Sequence, residues 1–198
     1  MKKIEIKEFG GPEVLEIKNV DIGKPGQNEV LVKNLSIGIN YIDTYHRSGL
    51  YPIPLPSGIG LEACSIIEEV GSEVKLFKVG DRVTRASMPI GTYSEKQIIP
   101  EDKLVKVPDN ISDEVASCIT LKGITAEYLL HRTYQVKKGD KILYHAAAGA
   151  LGQIFCPWAN ALGAEIIGTV GSDEKIEIAK KNGCHHVINY SEKNFVEE

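Results

Sequence analysis

The residues with the clearest chemical meaning form one short run, His145-Ala146-Ala147-Ala148-Gly149-Ala150-Leu151-Gly152. Aligned on its last glycine, Ala147-x-Gly149-x-x-Gly152 is a dinucleotide-binding fingerprint with alanine in the first place. Gly149 lets the backbone approach a pyrophosphate, and Gly152 lets a helix pack tightly on the preceding strand. The phosphates then sit on free N–H groups at the helix N-terminus. A second strand is expected to end about 20 residues on, at Val170-Gly171-Ser172, where an NAD site usually presents an acid to the ribose hydroxyls. The missing acid removes repulsion against a 2′-phosphate at the strand end, and Ser172 and Lys175 offer a hydroxyl and a cation to hold one, which favours NADPH over the counter-argument of Asp173. Asp173 is the nearest acid and reads as a first-turn helix residue. Lys175 reads equally well as part of a solvated helix face.

Other reactive side chains point to less. Cys64, Cys118, Cys156 and Cys184 are scattered with no C-x-x-C pair, which argues for reduced, packed thiols rather than a zinc knuckle or a disulfide framework. His145 ends a strand and His185-His186 lie in a turn, so the histidines are expected in structural or solvated roles.

Two kinds of periodicity position these residues. Up to about residue 110 the chain is a series of short β-like runs, Lys3 to Lys7, Glu29 to Asn34, Ala63 to Val70, Arg82 to Arg85 and Tyr93 to Ile99, punctuated by Gly and Pro. One helix, Tyr41 to Ser48, interrupts them and ends at Gly49. After Ser112 helices alternate with buried strands. Helices are expected over 112 to 120, 122 to 135, about 150 to 162, and Asp173 to Asn182, the last two closed by Gly163 and Gly183. Strands are expected over Lys141 to His145, Glu165 to Val170 and Val187 to Tyr190. This β-α-β-α-β series folds with right-handed crossovers into a parallel sheet. The expected fold class is therefore α/β: a compact β domain over residues 1–115, then the first half of a Rossmann domain over residues 116–198.

Composition agrees. The 198 residues are 42% hydrophobic and 25% charged, as in a globular protein, and the net charge of −4 lacks the basic excess of a chain whose main ligand is nucleic acid. The N-terminus Met1-Lys2-Lys3-Ile4-Glu5-Ile6-Lys7 alternates charged and apolar residues and does not read as a signal peptide. No stretch approaches the roughly 18 apolar residues of a membrane span, so no membrane partner is expected and the cytoplasm is the default location.

Gly38-Ile39-Asn40-Tyr41-Ile42-Asp43, Tyr45-His46-Arg47-Ser48-Gly49-Leu50-Tyr51, Pro56-Ser57-Gly58-x-Gly60-x-Glu62, Gly80-Asp81-Arg82-Val83, Leu121-Lys122-Gly123-x-Thr125 and His145-Ala146-Ala147-Ala148-Gly149 occur in one order along the chain. Together they resemble the zinc-free, zeta-crystallin-like quinone oxidoreductases of the medium-chain dehydrogenase/reductase family. The resemblance implies a chaperonin-10-like β domain, a Rossmann domain, a cleft between them, NADPH as cofactor, a small-molecule quinone as substrate and a homodimer. Zinc-dependent members carry a Cys ligand where this chain has Asn40, and Gly-His-Glu where it has Gly60-Leu61-Glu62, so no metal is expected. A quinone needs less help from a Lewis acid, because hydride enters an electron-poor ring and the oxyanion formed is a stabilised phenolate. By the same resemblance Asn40, Tyr45 and Tyr51 line the cleft. Asn40, Thr125, Gly149, Ala150, Leu151, Gly171, Ser172, Lys175 and Tyr190 lie along NADPH. Asn40 also reads as the cap of the helix starting at Tyr41, and Tyr45 as a core aromatic.

The chain departs from that pattern in three ways. Family members run on past residue 198, so the sequence is expected to be cut short at its C-terminus, just after a new helix opens at Ser191, with a strand edge left open. Pro157 falls inside the fingerprint helix, where it loses the bond to the Gln153 carbonyl and clashes with it, at about 3 kcal/mol or more unless the helix kinks. Ala150 and Asn160 also differ from the family pattern. These departures set an NADPH-dependent quinone reductase against a non-catalytic remnant that keeps only an adenosine half-site. RNA binding, seen among zeta-crystallin relatives, fits poorly with the acidic balance.

Overall fold

The computed structural model describes residues 1–194, 196 and 197, and divides into two compact units, Met1–Leu121 and Lys122–Glu198.

The first unit is built on short strands because its apolar residues come in runs bounded by turns. β1 (Lys2–Ile6), β2 (Glu16–Asn19) and β4 (Ser57–Gly58) form a small antiparallel sheet with β1 in the middle. β3 (Glu29–Gly38), β5 (Glu62–Val70), β6 (Arg82–Ala86), β7 (Lys96–Pro100) and β8 (Val105–Lys106) form a five-stranded sheet in the order β7-β3-β5-β6-β8. Val30, Val32, Ile67, Val83, Ile99 and Leu104 make its core. The β3–β5 register runs from Val30 opposite Val70 to Gly38 opposite Glu62, which brings the end of β3 and the start of β5 side by side. α1 (Tyr41–Ser48) follows β3 directly.

α2 (Asp113–Tyr128) is one continuous helix, where the sequence suggests two separated near Leu121. A single glycine costs a helix only about 1 kcal/mol against alanine, too little at Gly123 to break a run of intrahelical bonds. The helix widens into a π-helical turn over Leu129–Thr133.

In the second unit β9 (Lys141–Tyr144), β10 (Glu165–Val170) and β11 (His186–Asn189) form a parallel sheet in the order β11-β10-β9. α3 (Gly152–Ala161) and α4 (Glu174–Lys181) are the crossovers, ended by Gly163 at φ 87° and Gly183 at φ 91°. Ala126, Leu130, Phe155, Cys156, Ala159, Ile166, Val170 and Ala179 fill the core. α3 carries Pro157 without interruption. Both Pro157 and Gln153 lie on its exposed side, where water can satisfy the carbonyl that proline leaves without a donor. The helix expected from Ser191 does not form through Asn194. There the chain makes turns held by Glu192 and Lys193 N–H groups on the Asn189 carbonyl, at 3.1 and 3.0 Å. Phe195, within that expected helix, lies outside the described residues, as does Glu198.

Candidate functional site

The fingerprint turn joins β9 to α3 and is tied to the next strand. The Ala147 N–H donates to the Thr169 carbonyl at 3.0 Å, and His145 Nδ1 lies 3.0 Å from Thr169 Oγ1. Gly152 is required by proximity: a Cβ there would stand 2.4 Å from the Ala147 carbonyl oxygen. Ala146 adopts φ 56°, in the left-handed region, and its carbonyl accepts the Gly149 N–H at 2.8 Å. A non-glycine residue in that region stores strain, and such strain concentrates at ligand-binding turns. Tyr144 and Phe155 stack at 4.3 Å and fasten α3 to β9. The N–H groups of the first turn of α3, like those of any helix start, can receive an anion.

At the carboxyl end of β10 the chain turns through Gly171 and Ser172 into α4. Tyr190 leaves β11 beside it, with its N–H donating to the Val170 carbonyl at 3.0 Å. Its half-exposed ring lies over Gly171, where an added Cβ would meet the hydroxyl at 2.6 Å and Cζ at 3.0 Å. Ser191 Oγ donates to the Gly171 carbonyl at 2.9 Å and pins the same turn. Asp173 is not simply a solvated first-turn acid. It makes no side-chain cap bond, and its Oδ1 accepts a 2.8 Å hydrogen bond from the side-chain amide of buried Asn189. Ser172 is half-buried and Lys175 exposed. The structure thus gathers Gly171, Ser172 and Tyr190 at one strand end, with Gly149, Ala150 and Leu151 in the adjacent β9–α3 turn.

In the first unit Asn40 stands at the cap of α1, as the sequence allows. Its backbone is extended at the N-cap of α1, with its N–H donating to Asp43 Oδ2 at 2.9 Å. Its side-chain amide donates to Glu62 Oε2 at 2.8 Å, while Glu62 Oε1 accepts the Leu121 N–H at 2.7 Å. Asp43 Oδ2 also accepts the Tyr93 hydroxyl at 2.9 Å, and burial, reinforced by that carboxylate, pushes the tyrosine's pKa well up. Tyr45 and Tyr51 come together with ring centroids 5.2 Å apart, the Tyr51 N–H donating to the Tyr45 carbonyl at 3.1 Å. Tyr41 adds a third ring 5.3 Å from Tyr45, edge to face, and is 76% exposed. Thr125 belongs to the second unit, half-buried on α2.

Four contributors were not picked out from sequence as site residues. Tyr41 was legible from its i, i+4 spacing to Tyr45. Glu62, Asn189 and Ala146 carried no local signal, since their roles arise from strand register and turn geometry. No group of three or more His, Cys, Asp or Glu able to hold a metal occurs among the described residues. At the positions where zinc ligands stand in zinc-dependent relatives, Asn40 is bonded to Glu62 and Leu61 is hydrocarbon, a donor set that does not fit zinc. A depression of about 650 Å³ lies on the sheet face formed by Lys141, Leu143, Glu165, Ile167, His186 and Ile188, alternate residues of the three strands. Ligands of parallel sheets bind at the carboxyl ends, so it is not the site.

A β unit followed by a fingerprint-bearing parallel sheet is the domain order of the medium-chain dehydrogenases/reductases. Residues 26–109 match the alcohol dehydrogenase GroES-like domain and residues 150–198 the zinc-binding dehydrogenase domain. The chain is 52% identical to the quinone oxidoreductase of Pseudomonas aeruginosa, over 98% of its own length and 60% of the relative's. It is 48% identical to 2-haloacrylate reductase of a Burkholderia species, over 97% and 60%. The crystal structure of Escherichia coli quinone oxidoreductase complexed with NADPH superposes with a TM-score of 0.96 at 50% identity, covering all of this chain and 61% of that one. The chain is a homologue of the quinone oxidoreductases, and it spans about three fifths of the length of the curated relatives it matches.

Proposed function

We propose that the chain serves NADPH-dependent reduction of quinones by hydride transfer without a metal, with residues 1–115 as the substrate-side domain and 116–198 as the nucleotide domain. The observation that carries the reading is the packing of Tyr190 over Gly171 at the carboxyl end of β10. A side chain at position 171, where an acid for ribose hydroxyls would stand, displaces that ring. Ser172 and Lys175 are then the polar groups offered to a 2′-phosphate, Tyr190 a ring for the adenosine end, and Gly149, Ala150 and Leu151 the turn beside the pyrophosphate. Thr125 and Asn40 contribute further along the cofactor.

NADPH, when bound, supplies the hydride. The chain's own part is to orient and to exclude water. Tyr45 and Tyr51 offer ring faces and hydroxyls to a planar, electron-poor acceptor, and Glu62 fixes the amide of Asn40. The family's homodimer and a cytoplasmic location belong to the same proposal, with a small molecule rather than nucleic acid as the partner. NADPH consumption by the purified chain, followed by absorbance with and without an added quinone and with 2-haloacrylate in parallel, tests it. Turnover with the quinone is the expected result, and no turnover at any protein concentration sinks the enzyme reading.

A second reading is an adenosine-nucleotide half-site without catalysis. The cluster of Gly171, Ser172 and Tyr190 at the carboxyl end of β10, all within the second unit, supports it. It predicts that 2′,5′-ADP raises the melting temperature as much as NADPH does.

A further inference from the structure

Asp173 is the acid that directly follows the turn ending β10, and a carboxylate there opposes a 2′-phosphate. Its hydrogen bond to Asn189 alters that. Asn189 is 6% exposed at the end of β11, and both ends of its amide are used: Nδ2 donates to Asp173 Oδ1 at 2.8 Å, and Oδ1 accepts the Ser191 N–H at 3.1 Å. The Ser191 hydroxyl in turn holds the Gly171 carbonyl at 2.9 Å. Asn189 is therefore a rigid bracket that grips the Asp173 carboxylate from the β11 side and fixes its rotamer. Asn189→Ala frees the carboxylate to rotate about its side-chain torsions.

We infer that Asn189 is a specificity-determining residue: by holding Asp173 in one orientation it keeps the strand-end turn open to a 2′-phosphorylated adenosine, and its loss shifts preference toward the unphosphorylated nucleotide. Asn189 is a positioning residue, acting through Asp173. The inference rests on the nucleotide-binding reading above.

Calorimetric titration of the full chain with 2′,5′-ADP and with 5′-AMP measures the ratio of affinities directly, without turnover. Asn189→Ala is expected to lower that ratio about five- to tenfold, the size of one repulsive charge pair at partial screening. The loss should shrink at high salt. Asp173→Ala combined with Asn189→Ala should restore the ratio, an outcome that mere structural damage does not give. Asp173→Ala alone, an exposed change that tests the idea even if Asn189→Ala does not fold, should move the ratio less than about twofold, because the bracket already holds the charge on the Asn189 side of the turn. A fivefold or greater rise with Asp173→Ala alone overturns the inference, as does an Asn189→Ala chain that weakens both nucleotides equally. Wild-type chain that binds neither nucleotide overturns the nucleotide-binding reading and this inference with it. Binding with a ratio indifferent to Asn189 overturns this inference alone.

Discussion

The side-chain amide of Asn40 donates a 2.8 Å hydrogen bond to Glu62, a carboxyl with no exposed surface. The two residues lie 22 apart in sequence and meet because the β3–β5 register sets Gly38 opposite Glu62. Asn40→Ala takes a donor from a buried oxygen and should destabilise the first unit by about 1–3 kcal/mol, read as a lower denaturant midpoint. Asn40→Asp, which sets a second carboxyl against Glu62, should cost at least as much.

The Tyr190–Gly171 contact leaves no room for a methyl group. Gly171→Ala is expected to swing Tyr190 outward and to weaken 2′,5′-ADP binding about tenfold, comparable to the loss of one base–aromatic stack. Tyr190→Ala should produce a similar loss with little change in stability, since the ring is half-exposed. Titration with 2′,5′-ADP and thermal denaturation check the pair.

Ala146 sits at φ 56° without the freedom of glycine. Ala146→Gly should relieve about 1 kcal/mol of backbone strain and raise the melting temperature, partly offset by the greater freedom of glycine in the unfolded chain.

Pro157 leaves the Gln153 carbonyl without its helical donor. Pro157→Ala should stabilise α3 by up to about 3 kcal/mol, less whatever water already recovers at this exposed face, visible as a higher denaturant midpoint with an unchanged slope.

Cys64, Cys156 and Cys184 are buried while Cys118 is exposed. A thiol reagent at pH 8 should label one cysteine of the native chain quickly and all four after denaturation. Burial, with Asp113 beside it, pushes the Cys64 thiol up to about 11. An acid held neutral by the fold contributes stability below its unfolded value of about 9, and that contribution is lost as pH rises through about 11. Cys64→Ala should therefore flatten the fall in stability over that window.

The sequence alone was enough to place most strands, the fingerprint turn and the glycine ends of α3 and α4, because strand and helix periodicities and turn residues act over a few neighbours. It also carried the family resemblance, since the motifs keep their order from Gly38 to Gly149. The continuity of α2 through Leu121 was not legible, and neither was how α3 would accommodate Pro157. Each depends on whether the local cost is exceeded by bonds and burial contributed from elsewhere. Asp173 shows the difference most clearly. Its type and position made it an ordinary first-turn acid, and only the parallel pairing of β10 with β11, Val170 opposite Asn189, brings up the amide that holds it. Sequence spacing determines which groups are present; strand register determines which of them meet, because partners 16 or 22 residues apart are joined by hydrogen bonds that no local pattern encodes.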